Sequence, residues 1–205
     1  MMDENIWDNL INIYQAYQSY QDYALYLLNC IDEDGNTALM LACKKFRNDI
    51  ALKLLNFKDI NINNINDNGN TALILACQNN MNNVALKLLG FSNIDINQSN
   101  IWGYTALIYA CKNGMSYVVS KLLKFEDINI NHVNNLKDNA LMFACDNKMN
   151  DVALLLLQFS NININQSDDF GNTALILACK NDMSDVALKL LQFKDINYNQ
   201  VNTYD

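Results

Sequence analysis

Residues 69–77 read Gly69-Asn70-Thr71-Ala72-Leu73-Ile74-Leu75-Ala76-Cys77, and the organisation of the whole chain follows from this stretch. Its opening recurs at steps of 34 residues, with no insertion or deletion, from Gly35, Gly69, Gly103, Lys137 and Gly171. Self-similarity at a fixed period of this length is typical of repeat proteins, in which each unit packs on its neighbours. The sequence therefore predicts five repeats, at residues 35–68, 69–102, 103–136, 137–170 and 171–205.

Each repeat predicts two short helices followed by an extended loop. Thr71 is a good N-cap, and the apolar run 72–77 behind it favours a compact first helix. The second helix is predicted to open at a residue of a type that favours the N-cap: Asn48, Asn82, Ser116, Asn150 or Ser184. The alternation in Ile94-Asp95-Ile96-Asn97 indicates strand character before the turn that ends at Gly103. Lys137 replaces that turn glycine in the fourth repeat, where we predict a positive φ.

This order of helix, turn, helix and loop resembles the ankyrin repeat, with T-A-L-[IM]-x-A-C in place of T-P-L-H-x-A-A. The resemblance covers residues 35–204 and implies an all-α solenoid of stacked helix-turn-helix units with β-hairpin-like loops. It also implies that a repeating loop asparagine ties down each loop: Asn63, Asn97, Asn131, Asn165 and Asn199. Residues 1–34 lack the motif but carry two apolar helical faces, so we predict N-terminal capping helices there.

Five of the six cysteines share one slot of the first helix: Cys43, Cys77, Cys111, Cys145 and Cys179. Equivalent residues on stacked helices lie about 8–10 Å apart, which is too far for a disulfide. We therefore expect buried, reduced thiols that act as small apolar residues, as in a reducing compartment.

Composition excludes several function classes. The net charge is −8 and no basic run occurs, which argues against nucleic-acid binding. A single histidine, His132, sits in a loop slot that holds Gln98 and Gln166 in the neighbouring repeats, so we interpret it as a polar loop residue. No zinc, phosphate-binding or nucleophile motif is present, so the sequence predicts no metal, no cofactor and no enzymatic activity.

The opening residues do not resemble a secretory signal and no apolar run spans a bilayer, so we expect no membrane association and a cytoplasmic protein.

Positions that vary between repeats are free for recognition, and the resemblance implies that ankyrin proteins grip partner proteins with their fingertips and first-helix face. At the fingertips, large apolar residues precede the turn in three repeats. On this basis the sequence predicts a partner-binding surface formed by Ile101, Trp102, Tyr104, Lys112, Asn113, Leu136, Asp138, Asp146, Asn147, Phe170 and Asn172. The alternative for the fingertip residues is that they pack finger against finger.

Two other functions stay open. One is a self-assembling structural protein that associates through an uncapped C-terminal repeat or through the Leu154–Leu157 surface. The other is an accessory domain of an enzyme in a longer chain. The loops resemble those of ankyrin proteins from giant amoebal viruses or protists, and a viral origin would place the protein in the host cytoplasm. The partner protein itself does not follow from the sequence.

Overall fold

A computed structural model describes residues 28–203. The predicted cap at residues 1–34 lies largely outside the described residues. The chain divides into two compact units, Met1–Asp95 and Ile96–Asp205. Within residues 28–203 the first unit holds two helix pairs: α1 (Ala38–Lys44) with α2 (Asn48–Leu54), and α3 (Ala72–Gln78) with α4 (Asn82–Leu88). The second unit holds three pairs: α5 (Ala106–Lys112) with α6 (Ser116–Leu122), α7 (Ala140–Asp146) with α8 (Asn150–Leu156), and α9 (Ala174–Lys180) with α10 (Ser184–Leu190).

First helices pack on first helices inside each unit. In the first unit α1 packs on α3, and in the second unit α7 packs between α5 and α9. Each second helix packs against the first helix of its own pair. Every side chain of the run 72–77 is buried, so the apolar stretch that identifies the repeat forms the core. Each seven-residue helix is too short to be stable alone, so its stability depends on this burial.

The predicted N-cap of the first helices is confirmed. The Thr71 hydroxyl accepts a hydrogen bond from the Ile74 amide at 3.2 Å, and Asn139 performs the same role for α7 with its side-chain oxygen. The cap matters here because Thr71 is buried and water has little access to the first-turn amides.

The N-cap prediction for the second helices is wrong by one residue. Asn82 is the first residue of α4, and the N-cap position belongs to Met81, which makes no side-chain cap bond. The chain reverses so tightly before α4 that its backbone provides the capping: Asn80 has a φ of 55°, and its carbonyl accepts from the Asn82 amide at 3.1 Å. The corresponding residues Asn48, Ser116, Asn150 and Ser184 likewise begin their helices.

The loops form tight turns instead of the predicted strands. Ile94 and Ile96 point inward, as their alternation predicts, but only the isolated bridge between Ser99 and Thr105 forms in this loop. The reason is that side chains satisfy the turn amides. The Asn66 side-chain oxygen accepts from the amides of Asn68 and Asn70 at 3.1 and 2.9 Å. The same position holds Asp32, Asn100, Asn134 and Asp168 in the other loops, each with the same pair of bonds.

Loop asparagines tie one loop to the next at four of the five positions that the resemblance implied: Asn63, Asn97, Asn131 and Asn165. The Asn131 side chain donates to the Asn161 carbonyl at 2.7 Å and accepts from the Asn163 amide at 2.8 Å. Asn63, Asn97 and Asn165 make the same two bonds, and so does Asn29 ahead of the first repeat. His132 is a loop residue with one ring nitrogen 3.0 Å from the Gly103 carbonyl oxygen.

All six cysteines are thiols, but one of the burial predictions is wrong. Cys43, Cys77, Cys111 and Cys145 are buried, whereas Cys179 on α9 is exposed. Among the described residues α9 packs on the first helix α7 on one side, and no helix follows α10 to cover Cys179 on the other.

The Leu154–Leu157 run does not form the predicted surface. Leu156 and Leu157 are buried, and Leu154 and Leu155 are half-buried. The reason is that α8 directs Leu156 into the core beneath α7, while the helix end turns Leu157 inward.

Removing the hydroxyl in Thr71→Ala should lower the free energy of unfolding by about 1 kcal/mol, because the Ile74 amide loses its cap in a buried setting. Urea denaturation followed by circular dichroism measures the change. Thr71→Ser keeps the hydroxyl and serves as the control. Equal losses in the two variants would show that the cap is not the stabilising contact.

Thiol reactivity should separate the cysteines into two classes. Burial raises the pKa of Cys43 and Cys145 to about 12, so these residues hold almost no reactive thiolate at neutral pH. In the folded chain only the exposed Cys30 and Cys179 should react quickly with a disulfide reagent, and the remaining thiols should react after denaturation. Recovery of fewer than all the thiols in denaturant without reductant would contradict this assignment.

Candidate functional site

The predicted fingertip residues are exposed and lie on successive fingers of the second unit. The exposed fractions are 45% for Trp102, 48% for Leu136 and 44% for Phe170, with Ile101 beside Trp102 at 56%. The backbone fixes their spacing, because the carbonyl of each tip residue accepts from the next finger. The Asn135 amide donates to Trp102 at 3.0 Å, and the Asp169 amide donates to Leu136 at 3.1 Å. We refer to Ile101, Trp102, Leu136 and Phe170 as the fingertip row.

Close approach between fingers explains the turn glycine and its replacement. A Cβ atom on Gly103, whose φ is 76°, would lie 2.8 Å from the Asn134 Cα. Lys137 occupies the equivalent position with a φ of 64°, which confirms the predicted positive φ. Its ammonium group contacts the Asp169 carboxylate on the next finger at 2.8 Å, and the hydrogen bond to Asp169 raises the pKa of Lys137. An exposed ion pair thus lies beside the apolar tips of Leu136 and Phe170.

An aromatic cluster lies on the first-helix side of the same fingers. The Tyr104 and Tyr109 rings stack with their centroids 4.6 Å apart, and the Phe143 ring lies 6.2 Å from Tyr104 in a tilted arrangement. Tyr109 is buried, whereas Tyr104 and Phe143 are half-buried and so present ring surface to solvent. We call Tyr104, Tyr109 and Phe143 the aromatic platform.

A lysine of the chain itself lies over this platform. The Lys112 ammonium is 4.8 Å from the Tyr104 ring centroid and 5.5 Å from that of Phe143. It also lies 3.3 Å from the Tyr104 hydroxyl, to which it donates. These distances are within the range at which a cation is attracted to the face of an aromatic ring.

The carboxylate of Asp138 lies near enough to Lys112, the lysine over the aromatic platform, for the two charges to interact. Asp138 is half-buried and accepts a hydrogen bond from the Asn134 side chain at 3.0 Å. Burial raises the pKa of Asp138, and the negative charges of Asp168 and Asp146 act in the same direction, while Lys112 and the Asn134 bond oppose them. The surroundings of Asp138 therefore favour a positively charged neighbour.

Two predicted binding residues, Asn147 and Asn172, make side-chain hydrogen bonds within the chain. The Asn147 amide group donates to the Cys111 carbonyl at 3.4 Å, so it closes the end of the preceding first helix. Asn113 and Asn79 occupy the same slot in earlier repeats, and the Asn79 amide group donates to the Cys43 carbonyl at 3.0 Å. Asn172 donates to the Asp168 carboxylate at 2.8 Å and accepts from Asn202 at 3.2 Å. Asparagine at these slots repeats along the chain because it holds loops and helix ends together.

Two residues of the aromatic platform were missed by sequence reasoning. Tyr109 and Phe143 occupy a first-helix slot that holds Leu41, Leu75 and Leu177 in the other repeats. The signal was present in the sequence, since two adjacent repeats alone carry rings at that slot. An apolar residue inside a helix is normally assigned to the core. Because Tyr109 and Phe143 were assigned in this way, the change from leucine to an aromatic ring at this slot was not interpreted as a surface feature.

Comparisons with known proteins agree with this architecture. A family model described as ankyrin repeats in three copies matches residues 13–100, 47–133, 84–168 and 107–202. The chain belongs to the ankyrin-repeat family. A crystal structure of the ankyrin-repeat protein EF0377 is similar in fold, with a TM-score of 0.69 and 22% sequence identity over 90% of this chain and 97% of that chain. No curated protein sequence matches the chain.

The fold class is therefore an all-α ankyrin-repeat solenoid, and ankyrin repeats in general are protein–protein interaction modules. Between residues 28 and 203, no three His, Cys, Asp or Glu side chains come together as metal ligands. None of the helices in that range has the length and apolar character needed to traverse a bilayer.

Asp138→Asn tests the electrostatics of the platform. Because burial raises the pKa of Asp138 above its ordinary value of 3.8, the folded chain retains this proton to higher pH than the unfolded chain. As the pH rises from the pKa of Asp138 in the unfolded chain through its higher pKa in the folded chain, ionisation lowers the stability of the fold. The full loss is present at pH 7. The neutral variant should melt above the parent at pH 7, and its advantage should shrink below about pH 3.8, where both states of the parent are protonated.

Thermal unfolding at the two pH values measures this difference, with the exposed Asp195→Asn as the matched control. An advantage of Asp138→Asn that does not change between the two pH values would contradict the assigned burial cost.

Proposed function

We propose that this ankyrin-repeat chain is a non-catalytic interaction module that grips a partner protein with its fingertips and first-helix face. The observation that carries the proposal is the fingertip row: large apolar side chains stand in solvent on three successive fingers, at a position where turns are normally polar. Asp34 and Asn68 hold the corresponding slot in the first unit, so the apolar tips are a feature of the second unit.

The fingertip row has the composition of an interface centre. Trp102 and Phe170 supply large aromatic surfaces, and the Lys137–Asp169 ion pair lies beside them as a polar rim. Aromatic anchors surrounded by polar residues carry most of the binding energy in many interfaces, at about 2 kcal/mol or more for each anchor. The backbone bonds between fingers hold the anchors in place before the partner arrives, which reduces the entropy lost on binding.

The triple change Trp102→Ala, Leu136→Ala and Phe170→Ala should abolish partner capture and leave the free energy of unfolding within about 0.5 kcal/mol of the parent, because surface truncations away from the core cost little. Capture is measured by affinity purification from the native cell with quantitative mass spectrometry, and stability by thermal melting. Tyr117→Ala, which removes a ring that is 80% exposed on α6, is the matched control.

Retained capture together with a large loss of stability would show that the row packs intramolecularly. The partner-binding surface would then have to lie on the first-helix face around Lys112 and Asp146.

Self-assembly is the second candidate function, and the last repeat favours it. Leu188 and Leu191 are 62% and 50% exposed, whereas Leu157, which is equivalent to Leu191, is 3% exposed. Cys179 is exposed on the same repeat. This exposed face of the last repeat carries apolar residues of the kind that neighbouring repeats bury elsewhere in the chain. It therefore offers a surface on which a second copy of the chain could pack. A cytoplasmic location and a viral or protist source stay predictions.

Sedimentation velocity distinguishes the two functions. The partner-binding proposal expects a sedimentation coefficient that does not rise with protein concentration. Self-assembly expects a sedimentation coefficient that rises with concentration in the parent and not in Leu188→Ser, because this change removes an exposed apolar side chain. The fold should accept the change, since Ser120 occupies the same slot in the third repeat. A concentration-dependent parent with a monomeric Leu188→Ser variant would therefore favour assembly as the function.

A further inference from the structure

We propose that the aromatic platform binds an arginine side chain of the partner protein, and that Lys112 occupies this place until the partner arrives. The inference rests on the proposed function and names the chemistry of the partner. It concerns Tyr104, Tyr109 and Phe143 with the carboxylates Asp138 and Asp146, a site separate in composition from the fingertip row.

The platform already holds a cation. The Lys112 ammonium lies over two rings, at 4.8 Å from the Tyr104 centroid and 5.5 Å from the Phe143 centroid. The stacking of Tyr104 on the buried Tyr109 fixes the ring that faces this cation, so the binding surface is formed in advance. The intramolecular contact thus shows which charge and which geometry the rings accept.

Lys112 is held weakly enough to be replaced. Its side chain is exposed, and the bond from its ammonium to the Tyr104 hydroxyl is long at 3.3 Å. An exposed lysine on a flexible stem gives up such contacts at little cost. A guanidinium group offers more, because it is planar, stacks on an aromatic face and presents a fork of donors to a carboxylate.

The surrounding charge selects a basic partner. Asp138 is half-buried, the carboxylates of Asp168 and Asp146 and the cation Lys112 all act on it, and burial raises its pKa. An incoming guanidinium would take the place of Lys112 near Asp138 and offer the carboxylate a fork of donors. The chain as a whole carries a net charge of −8, which favours encounter with a basic segment.

The fold does not require these residues at these slots. Asn70 and Asn172 occupy the slot of Tyr104, and Leu75 and Leu177 occupy that of Phe143. The residues of the neighbouring repeats therefore provide substitutions that remove the platform and keep the repeat intact. Rings at two slots where the fold accepts asparagine and leucine indicate a role in binding.

The test uses N-acetyl-arginine amide as the probe and the full chain with ¹³C-labelled tyrosine and phenylalanine. Titration followed by NMR should give saturable shifts centred on Tyr104 and Phe143. N-acetyl-citrulline amide, the neutral analogue, should give none at equal concentration. In the double variant Tyr104→Asn and Phe143→Leu, where the remaining Tyr109 ring reports binding, the arginine probe should bind about tenfold more weakly, as expected for the loss of two cation–ring contacts.

Lys112→Gln, which installs the residue found at Gln78, provides the second arm. It should strengthen binding of the arginine probe several-fold, because the resident cation is gone. Weaker binding in Lys112→Gln, equal binding in the double variant, or saturable shifts of Tyr104 and Phe143 with N-acetyl-glutamate amide would each overturn the inference.

The fingertip triple variant separates this inference from the proposed function. It should bind the arginine probe as the parent does. If the platform binds no arginine while the triple change still abolishes partner capture, this inference fails and the proposed function stands. If arginine binds but the triple change leaves capture intact, the fingertip part of the proposed function fails.

Discussion

A pair of side-chain hydrogen bonds from one asparagine per repeat is the interaction on which the rest of the structure depends. At Asn131 the carboxamide donates to the Asn161 carbonyl and accepts from the Asn163 amide, so a single side chain fixes the next loop at two points. Asparagine suits this role because it is a donor and an acceptor in one short group. The bonds recur in both units and require a constant separation between loops, which accounts for a 34-residue period with no insertion or deletion.

Once the loops are fixed, the residues divide into two sets. Those that recur serve the interior or the joints between repeats, such as the Ala-Leu-x-x-Ala-Cys core and the turn-forming Asn66 and its equivalents. The residues that vary between repeats do not serve the interior or the joints. In the second unit they lie on the fingertips and on the adjacent first-helix face. The fingertip row is apolar with an ion pair at its side, whereas the aromatic platform carries a lysine whose charge interacts with Asp138. The two surfaces therefore offer a partner different chemistry on neighbouring parts of the same fingers.

Much of the fold could be predicted because the repeat gives every residue several independent comparisons. Thr71 as an N-cap and the positive φ of Lys137 both followed from what the other repeats hold at those slots. The errors arose where the backbone competes with side chains. Asn82 was a suitable cap by residue type, but the Asn80 carbonyl already satisfies its amide. The exposure of Cys179 was missed because a repeating pattern says nothing about which repeats have neighbours on both sides. The aromatic platform was missed because contact between Tyr104 and Phe143 depends on how two repeats stack.

Amide hydrogen exchange in Asn131→Ala tests the role of the loop asparagines most directly. The Asn163 amide should lose its protection, and the free energy of unfolding should fall by about 1–3 kcal/mol, since two side-chain hydrogen bonds are removed. The equivalent amides of Asp95 and Asn197, held by Asn63 and Asn165, should keep their protection. Asn161→Ala, which removes a carboxamide but keeps the carbonyl that Asn131 uses, should behave as the parent. Unchanged protection of the Asn163 amide in Asn131→Ala would contradict the claim that this side chain holds one loop to the next.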